Sequence, residues 1–134
     1  MLDILSLDHI VLRTKNIEEM LYFYTKILNC SIERETPKET GLTQLRAGSA
    51  LIDLVVVNSR LGAMGGGPPT KSENNLDHFC LQIKALPESE IIGYLEQQGV
   101  IVGGFESRYG SQGIGNSLYI TDPDGNGVEL RCRL

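Results

Sequence analysis

The sequence predicts an α+β fold built from two βαβββ modules, which form a curled mixed sheet around a cavity. Three observations predict it. The tripeptide Leu-Asp-His occurs twice, as Leu7-Asp8-His9 and Leu76-Asp77-His78, and it holds the only two histidines of the 134 residues. Each copy opens a short apolar run, His9-Ile10-Val11-Leu12 and His78-Phe79-Cys80-Leu81. Each half then passes through a helical pattern and a polar stretch into a strand-like run that carries an acid, Asp53 in Ala50-Leu51-Ile52-Asp53-Leu54-Val55 and Glu129 in Gly127-Val128-Glu129-Leu130-Arg131.

In chain order, module one occupies about 5–57. After the strand at His9, Asn16 is a plausible N-cap with Glu19 three residues on. Ile17, Met20, Leu21, Tyr24, Ile27 and Leu28 recur at the spacing of one buried helical face, and Asn29 suits the left-handed residue that closes it. Runs 43–47 and 50–57 are rich enough in Val, Ile and Leu to be strands. Residues 58–75, with Gly65-Gly66-Gly67-Pro68-Pro69, have the composition of a linker without a packed element. Module two follows at about 76–134, and the whole of 1–134 reads as a single domain. Ser89 or a near neighbour caps a helix whose Ile91, Ile92 and Leu95 face inward, and Gly99 stops it. Strands at 117–121 and 127–131 flank Asp122-Pro123-Asp124-Gly125-Asn126, a turn by its residue types. From histidine to acid the second half is longer by about seven residues, read as a loop insertion.

Composition narrows the function. A formal net charge of −5, with 12 basic residues scattered among 17 acidic ones, argues against nucleic acid as a partner. No apolar run approaches the roughly 20 residues of a membrane span, and the first residues lack a secretory pattern, so a cytoplasmic address is expected. Cys30, Cys80 and Cys132 contain no Cys-x-x-Cys pair and read as reduced, mostly buried thiols.

Strand periodicity decides where the polar groups point. His9, Val11 and Arg13 share one face of their strand, Leu51, Asp53 and Val55 one face of theirs, and the wholly aliphatic faces belong under the helices. His9 and Asp53 are left together on the open face. His78 and Glu129 are left together in the second half by the same argument, with Cys80, Gln82 and Arg131. Two histidines and two acids are the donor types of a divalent metal site. Taken singly, each histidine also fits a hydrogen-bonded core role, and Glu129 a strand residue paired with Arg131 or Arg13.

The two-module plan, the histidine heading each module, Ala-Leu-Ile-Asp-Leu and the closing Tyr-Ile-Thr-Asp-Pro-Asp-Gly-Asn-Gly-Val-Glu-Leu resemble the vicinal oxygen chelate superfamily over nearly the whole chain. That superfamily includes glyoxalase I, fosfomycin-resistance thiol transferases, extradiol dioxygenases and metal-free bleomycin-binding proteins. The small glyoxalase-domain proteins are the nearest pattern. The resemblance implies one divalent ion per site (Ni, Zn, Mn, Fe or Co) at His9, Asp53, His78 and Glu129, with Asp53 standing where glyoxalase I has Glu. Glu129 and Asp53 are then the candidates to move a proton. It also implies a small-molecule substrate and a homodimer.

Residues 106–116 read as a glycine-rich loop, with Arg108, Tyr109 and Gln112, together with Arg13, as candidate substrate contacts. An ordinary surface loop is the other reading. Three function classes stay open: a metal-dependent glyoxalase I-like lyase or isomerase, an extradiol-type dioxygenase or thiol transferase, and a non-catalytic small-molecule binding or resistance protein.

Overall fold

Two four-stranded sheets, one in each half of the chain, carry the architecture in the computed structural model, which describes residues 2–70, 72–74 and 76–133. The chain divides into two units, Met1–Thr70 and Lys71–Leu134, and the boundary falls inside the predicted linker.

The first unit runs β1 (His9–Thr14), α1 (Ile17–Tyr22, continued by a π turn over Phe23–Ile27), β2 (Ser31–Glu35), β3 (Leu42–Ala47) and β4 (Ala50–Val56). Its sheet order is β1-β4-β3-β2, with β1 parallel to β4 and the other pairs antiparallel. The short α2 (Arg60–Ala63) follows. The second unit repeats the plan with β5 (His78–Ile83), α3 (Glu88–Gln97), β6 (Glu106–Gly110), β7 (Gly113–Thr121) and β8 (Gly127–Cys132), ordered β5-β8-β7-β6. The α+β class and the two βαβββ modules are as the sequence predicts.

Alternation builds both cores. Leu12, Ile52 and Leu54 of the first sheet are buried with Met20, Phe23, Tyr24 and Ile27, and α1 packs on β4. Phe23 lies outside the predicted stripe. The π turn explains it: Leu28 N–H reaches the Phe23 carbonyl five residues back at 3.0 Å, and the extra residue in that turn sets both Phe23 and Tyr24 inward, their rings near perpendicular at 5.0 Å. In the second unit Ile91 and Leu95 of α3 are buried, as are Leu118, Ile120, Val128 and Leu130 of β7 and β8.

Both helix stops are as expected, with Asn29 at φ 61° and Gly99 at φ 78°. The starts differ. Asn16 occupies the N-cap of α1 without a side-chain capping bond, and its own N–H is taken by Thr14 Oγ1 at 2.9 Å. Pro87, a near neighbour of Ser89, holds the N-cap of α3, also without a side-chain capping bond. The 122–126 turn is secured by Asp122, whose Oδ1 accepts the N–H groups of Asp124 and Asn126 at 2.9 and 3.0 Å.

Three further expectations are corrected. The linker does contain a packed element: Ser59 Oγ accepts the Gly62 N–H at 3.1 Å, caps α2, and Gly62 is buried. Lys71 and Asn75 of that linker, and Leu134, lie outside the described residues. The stretch 106–116 is a two-stranded hairpin, with Ser111 and Gln112 alone between β6 and β7. The extra length of the second half is spread over the α3–β6 connection, a longer β7 and a longer last turn. Of the thiols, Cys30 is buried while Cys80 is exposed. Among the described residues no helix is long and apolar enough to cross a membrane.

Candidate functional site

Each unit brings its histidine to its acid. His9 and Asp53 lie on the parallel pair β1 and β4, where Val11 is the register partner of Asp53. His78 and Glu129 lie on β5 and β8, with Cys80 opposite Glu129. Nε2 of His78 is 3.2 Å from Glu129 Oε2, and Nε2 of His9 is 4.0 Å from Asp53 Oδ2. The first acid has one methylene fewer with which to reach across.

The aspartate that precedes each histidine holds the other ring nitrogen. Asp77 Oδ2 is 2.6 Å from His78 Nδ1, and Asp8 Oδ1 is 2.5 Å from His9 Nδ1. With Nδ1–H donating to the carboxylate the ring is fixed and Nε2 is left to face the acid, the arrangement that orients histidine ligands around metals. That hydrogen bond to Asp8 also raises the pKa of His9 above its ordinary 6.5, against a smaller desolvation effect. Gly127, the register partner of His78, has to be glycine: a β-carbon there would stand 2.8 Å from the Asp77 carbonyl oxygen and 2.9 Å from His78 Cβ.

The two acids are nearly out of solvent, Asp53 at 3% and Glu129 at 6% exposure, so the predicted open face is closed at its carboxylates while the imidazoles stay partly exposed. Asp53 Oδ2 accepts from Gln44 Nε2 at 3.1 Å, whereas its Oδ1 is buried with no hydrogen-bond partner. An orphaned carboxylate oxygen is costly in a protein interior, and a cation is the partner that best relieves it. The donor set of imidazole nitrogens and carboxylates therefore fits a divalent ion. Among the described residues no three His, Cys, Asp or Glu side chains gather as a metal cluster, so each unit supplies a pair rather than a full ligand set.

Sequence reasoning missed Gln44 and Tyr119. Each is the antiparallel register partner of the acid in its unit; counting outward from the predicted 122–126 turn leads to Tyr119, while Gln44 needs the turn at 48–49, which the residue pattern does not single out. The Tyr119 ring meets His78 edge-on at 5.4 Å. Cys80 has its thiol pushed up to about 11, chiefly by desolvation and then by the Glu129 charge. The residue is exposed as a whole, so the desolvation is local to the sulfur.

The predicted substrate contacts separate. Arg108 is ion-paired to Glu106 and lies over the Tyr119 ring at 5.8 Å, which brings it to the His78 side of its sheet. Tyr109, the next residue along β6, is exposed, and Gln112 is exposed in the hairpin turn. Arg13 reaches the carbonyl groups of Gly62, Gly66 and Gly67 at 3.0, 2.5 and 3.2 Å, so it ties 62–67 to the first sheet. A cleft of about 540 Å³ in the first unit is lined by Ile17, Lys38, Leu42, Val56 and Ser59 and includes neither His9 nor Asp53.

Comparison with known proteins gives one consistent outcome. The family model described as Glyoxalase/Bleomycin resistance protein/Dioxygenase superfamily matches residues 6–130. A structure from the mobile metagenome of V. Pseudocholerae is 28% identical, with a TM-score of 0.82 over 100% of this chain and 98% of that one. Catechol-2,3-dioxygenase of Bacillus subtilis is 25% identical over 123 residues, and the match covers 89% of this chain but only 38% of that protein. Lactoylglutathione lyase from Agrobacterium tumefaciens shares the fold, with a TM-score of 0.67 at 19% identity over 95% of this chain and 92% of that one.

Proposed function

Because the chain belongs to the glyoxalase/bleomycin resistance/dioxygenase superfamily, we propose that it is a divalent-metal-dependent enzyme, a glyoxalase I-like lyase or isomerase acting on a small oxygen-chelating substrate. The observation that carries this reading is the doubled Asp-His-acid arrangement, Asp77-His78-Glu129 and Asp8-His9-Asp53, in which Nε2 is presented to a buried carboxylate. A cavity that only sequesters a ligand has no need of two imidazoles oriented in this way.

His9, Asp53, His78 and Glu129 are the residues that would hold the ion. The bound ion supplies Lewis acidity toward two substrate oxygens. The chain's own residues do the rest. Glu129 and Asp53 are the buried carboxylates placed to take or return a proton. The Tyr119 ring and Gln44 limit how far the imidazole of His78 and the Asp53 carboxylate can turn. A ring-cleaving dioxygenase is the second reading, supported by the similarity to catechol-2,3-dioxygenase and by the suitability of two histidines and one carboxylate for iron.

Metal analysis of the purified protein tests the reading. About one divalent ion per chain is expected, lost in His78→Ala and Glu129→Ala; protein that takes up no ion on reconstitution refutes it. Supplying the methylglyoxal hemithioacetal and catechols in parallel separates lyase from dioxygenase. The homodimer is tested by sedimentation of the same sample.

A further inference from the structure

The second unit buries a cation that donates to neutral groups. Arg131 is 3% exposed, and its guanidinium donates to the Arg108 carbonyl at 3.1 Å, to Ser117 Oγ at 3.4 Å and to the Gly113 carbonyl. All three acceptors are neutral. Among the described residues no carboxylate lies within 4.0 Å of it: Glu129, two residues along β8, faces His78, and Glu106 is paired with Arg108. A guanidinium has five N–H groups, so two remain after these three bonds.

The surrounding sequence is cut to fit this group. A β-carbon on Gly110 would come within 2.9 Å of Arg131 Cζ, and one on Gly115 within 2.8 Å of Nη2. The hairpin glycines therefore make room for a charge instead of providing mobility. Tying a hairpin together needs donors but not a charge, and a neutral amide would do it without the cost of burying an ion among dipoles.

The first unit repeats the arrangement from a different strand. Arg13 on β1 has Val55 as its register partner, while Arg131 on β8 has Gln82, so the row two residues beyond each acid carries one guanidinium. Arg13 also donates three bonds to neutral carbonyls, its Nε is buried without a partner, and a β-carbon on Gly65 would stand 2.4 Å from that Nε. Again no carboxylate lies within 4.0 Å among the described residues.

We propose that the ligand of the His78 and Glu129 pair is an oxyanion, a carboxylate or a phosphate, whose charge is matched by Arg131. This deepens the proposed function by naming the charge class of its substrate, and it rests on that reading only for the identity of the site. A substrate with an anionic group beside its chelating oxygens satisfies the two remaining N–H groups and neutralises the cation.

The test uses metal-free protein titrated by calorimetry with oxalate, with inorganic phosphate and with oxamide, the neutral match of oxalate. At least one of the two anions binds and oxamide does not; whichever anion binds more tightly identifies carboxylate or phosphate. Arg131→Gln keeps donors but removes the charge, and it weakens that binding at least about tenfold, while amide exchange in β6 and β7 stays slow. Oxamide binding as well as oxalate, neither anion binding, or Arg131→Gln binding like the wild type each overturns the proposal. Should Arg131→Gln fail to fold, the Nε–H resonance of Arg131 in the wild type decides: it shifts on anion addition, and a silent resonance overturns the proposal. No metal is present in these titrations, so anion binding without metal uptake rejects the metal reading alone, and metal uptake without anion binding rejects this one alone.

Discussion

The carbonyl oxygen of Val56 lies so close to Gly62 that a β-carbon there would stand 1.8 Å from it, with the Val57 carbonyl oxygen at 2.6 Å. The end of β4 and the first turn of α2 are thus in backbone contact, and Ser59 closes the junction through its bonds to Val56 O at 2.6 Å and Gly62 N at 3.1 Å. Backbone cannot swing aside as a side chain does. Gly62→Ala is therefore expected to cost at least the 1–3 kcal/mol typical of overpacking, and Ser59→Ala about 1 kcal/mol for the lost cap. Urea unfolding with an unchanged m-value measures both. An alanine at 62 with wild-type stability would mean that α2 does not pack against β4.

Asp77 fixes the ring of His78 through Nδ1 at 2.6 Å, on the nitrogen opposite the one that faces Glu129. Asp77→Asn should leave folding intact and weaken divalent-ion affinity by about 10- to 100-fold, the usual effect of removing an outer carboxylate. Competition with a chromophoric chelator gives the affinity. Equal affinities would show that the ring is held by its packing against Tyr119 alone.

For His9 the sign of the pH dependence follows from the Asp8 bond, which raises its pKa above 6.5 in the folded chain. A raised folded value stabilises the fold fully below the unfolded pKa, and the contribution is lost as pH rises through the folded value. Asp8→Asn should therefore lower the His9 titration midpoint and destabilise the metal-free protein only on the acidic side of that window. The effect is small because both side chains meet water. Proton NMR of the imidazole reads the midpoint directly, and a midpoint unmoved by the substitution refutes the assignment.

The thiol of Cys80, pushed up to about 11, is protonated at neutral pH and is a poor nucleophile. Alkylation by iodoacetamide near pH 8 should be slow for an exposed cysteine, and Glu129→Gln should accelerate it by removing the second-largest cause of the shift. Mass spectrometry of the modified peptide follows the rate. Alkylation as fast as that of a free thiol would contradict the local desolvation.

What the residue pattern determined alone is what depends on neighbours in the chain. Alternation placed Ile52 and Leu54 on the covered face and Asp53 on the other; the repeat of Leu-Asp-His located both modules; Asn29, Gly99 and the Asp122 turn ended their elements through their own backbone preferences. Tertiary structure alone decided what depends on register and on through-space contact. The 3.2 Å and 4.0 Å separations, the Gln44 bond to Asp53, the edge of Tyr119 on His78, and the π turn that buries Phe23 all arise from through-space contact or from packing on a sheet. The hairpin at 106–116 shows the difference most directly. Its glycines read as flexibility in one dimension because a chain pattern cannot reveal that Arg131, on a strand far along the sequence, takes up the space their missing side chains leave.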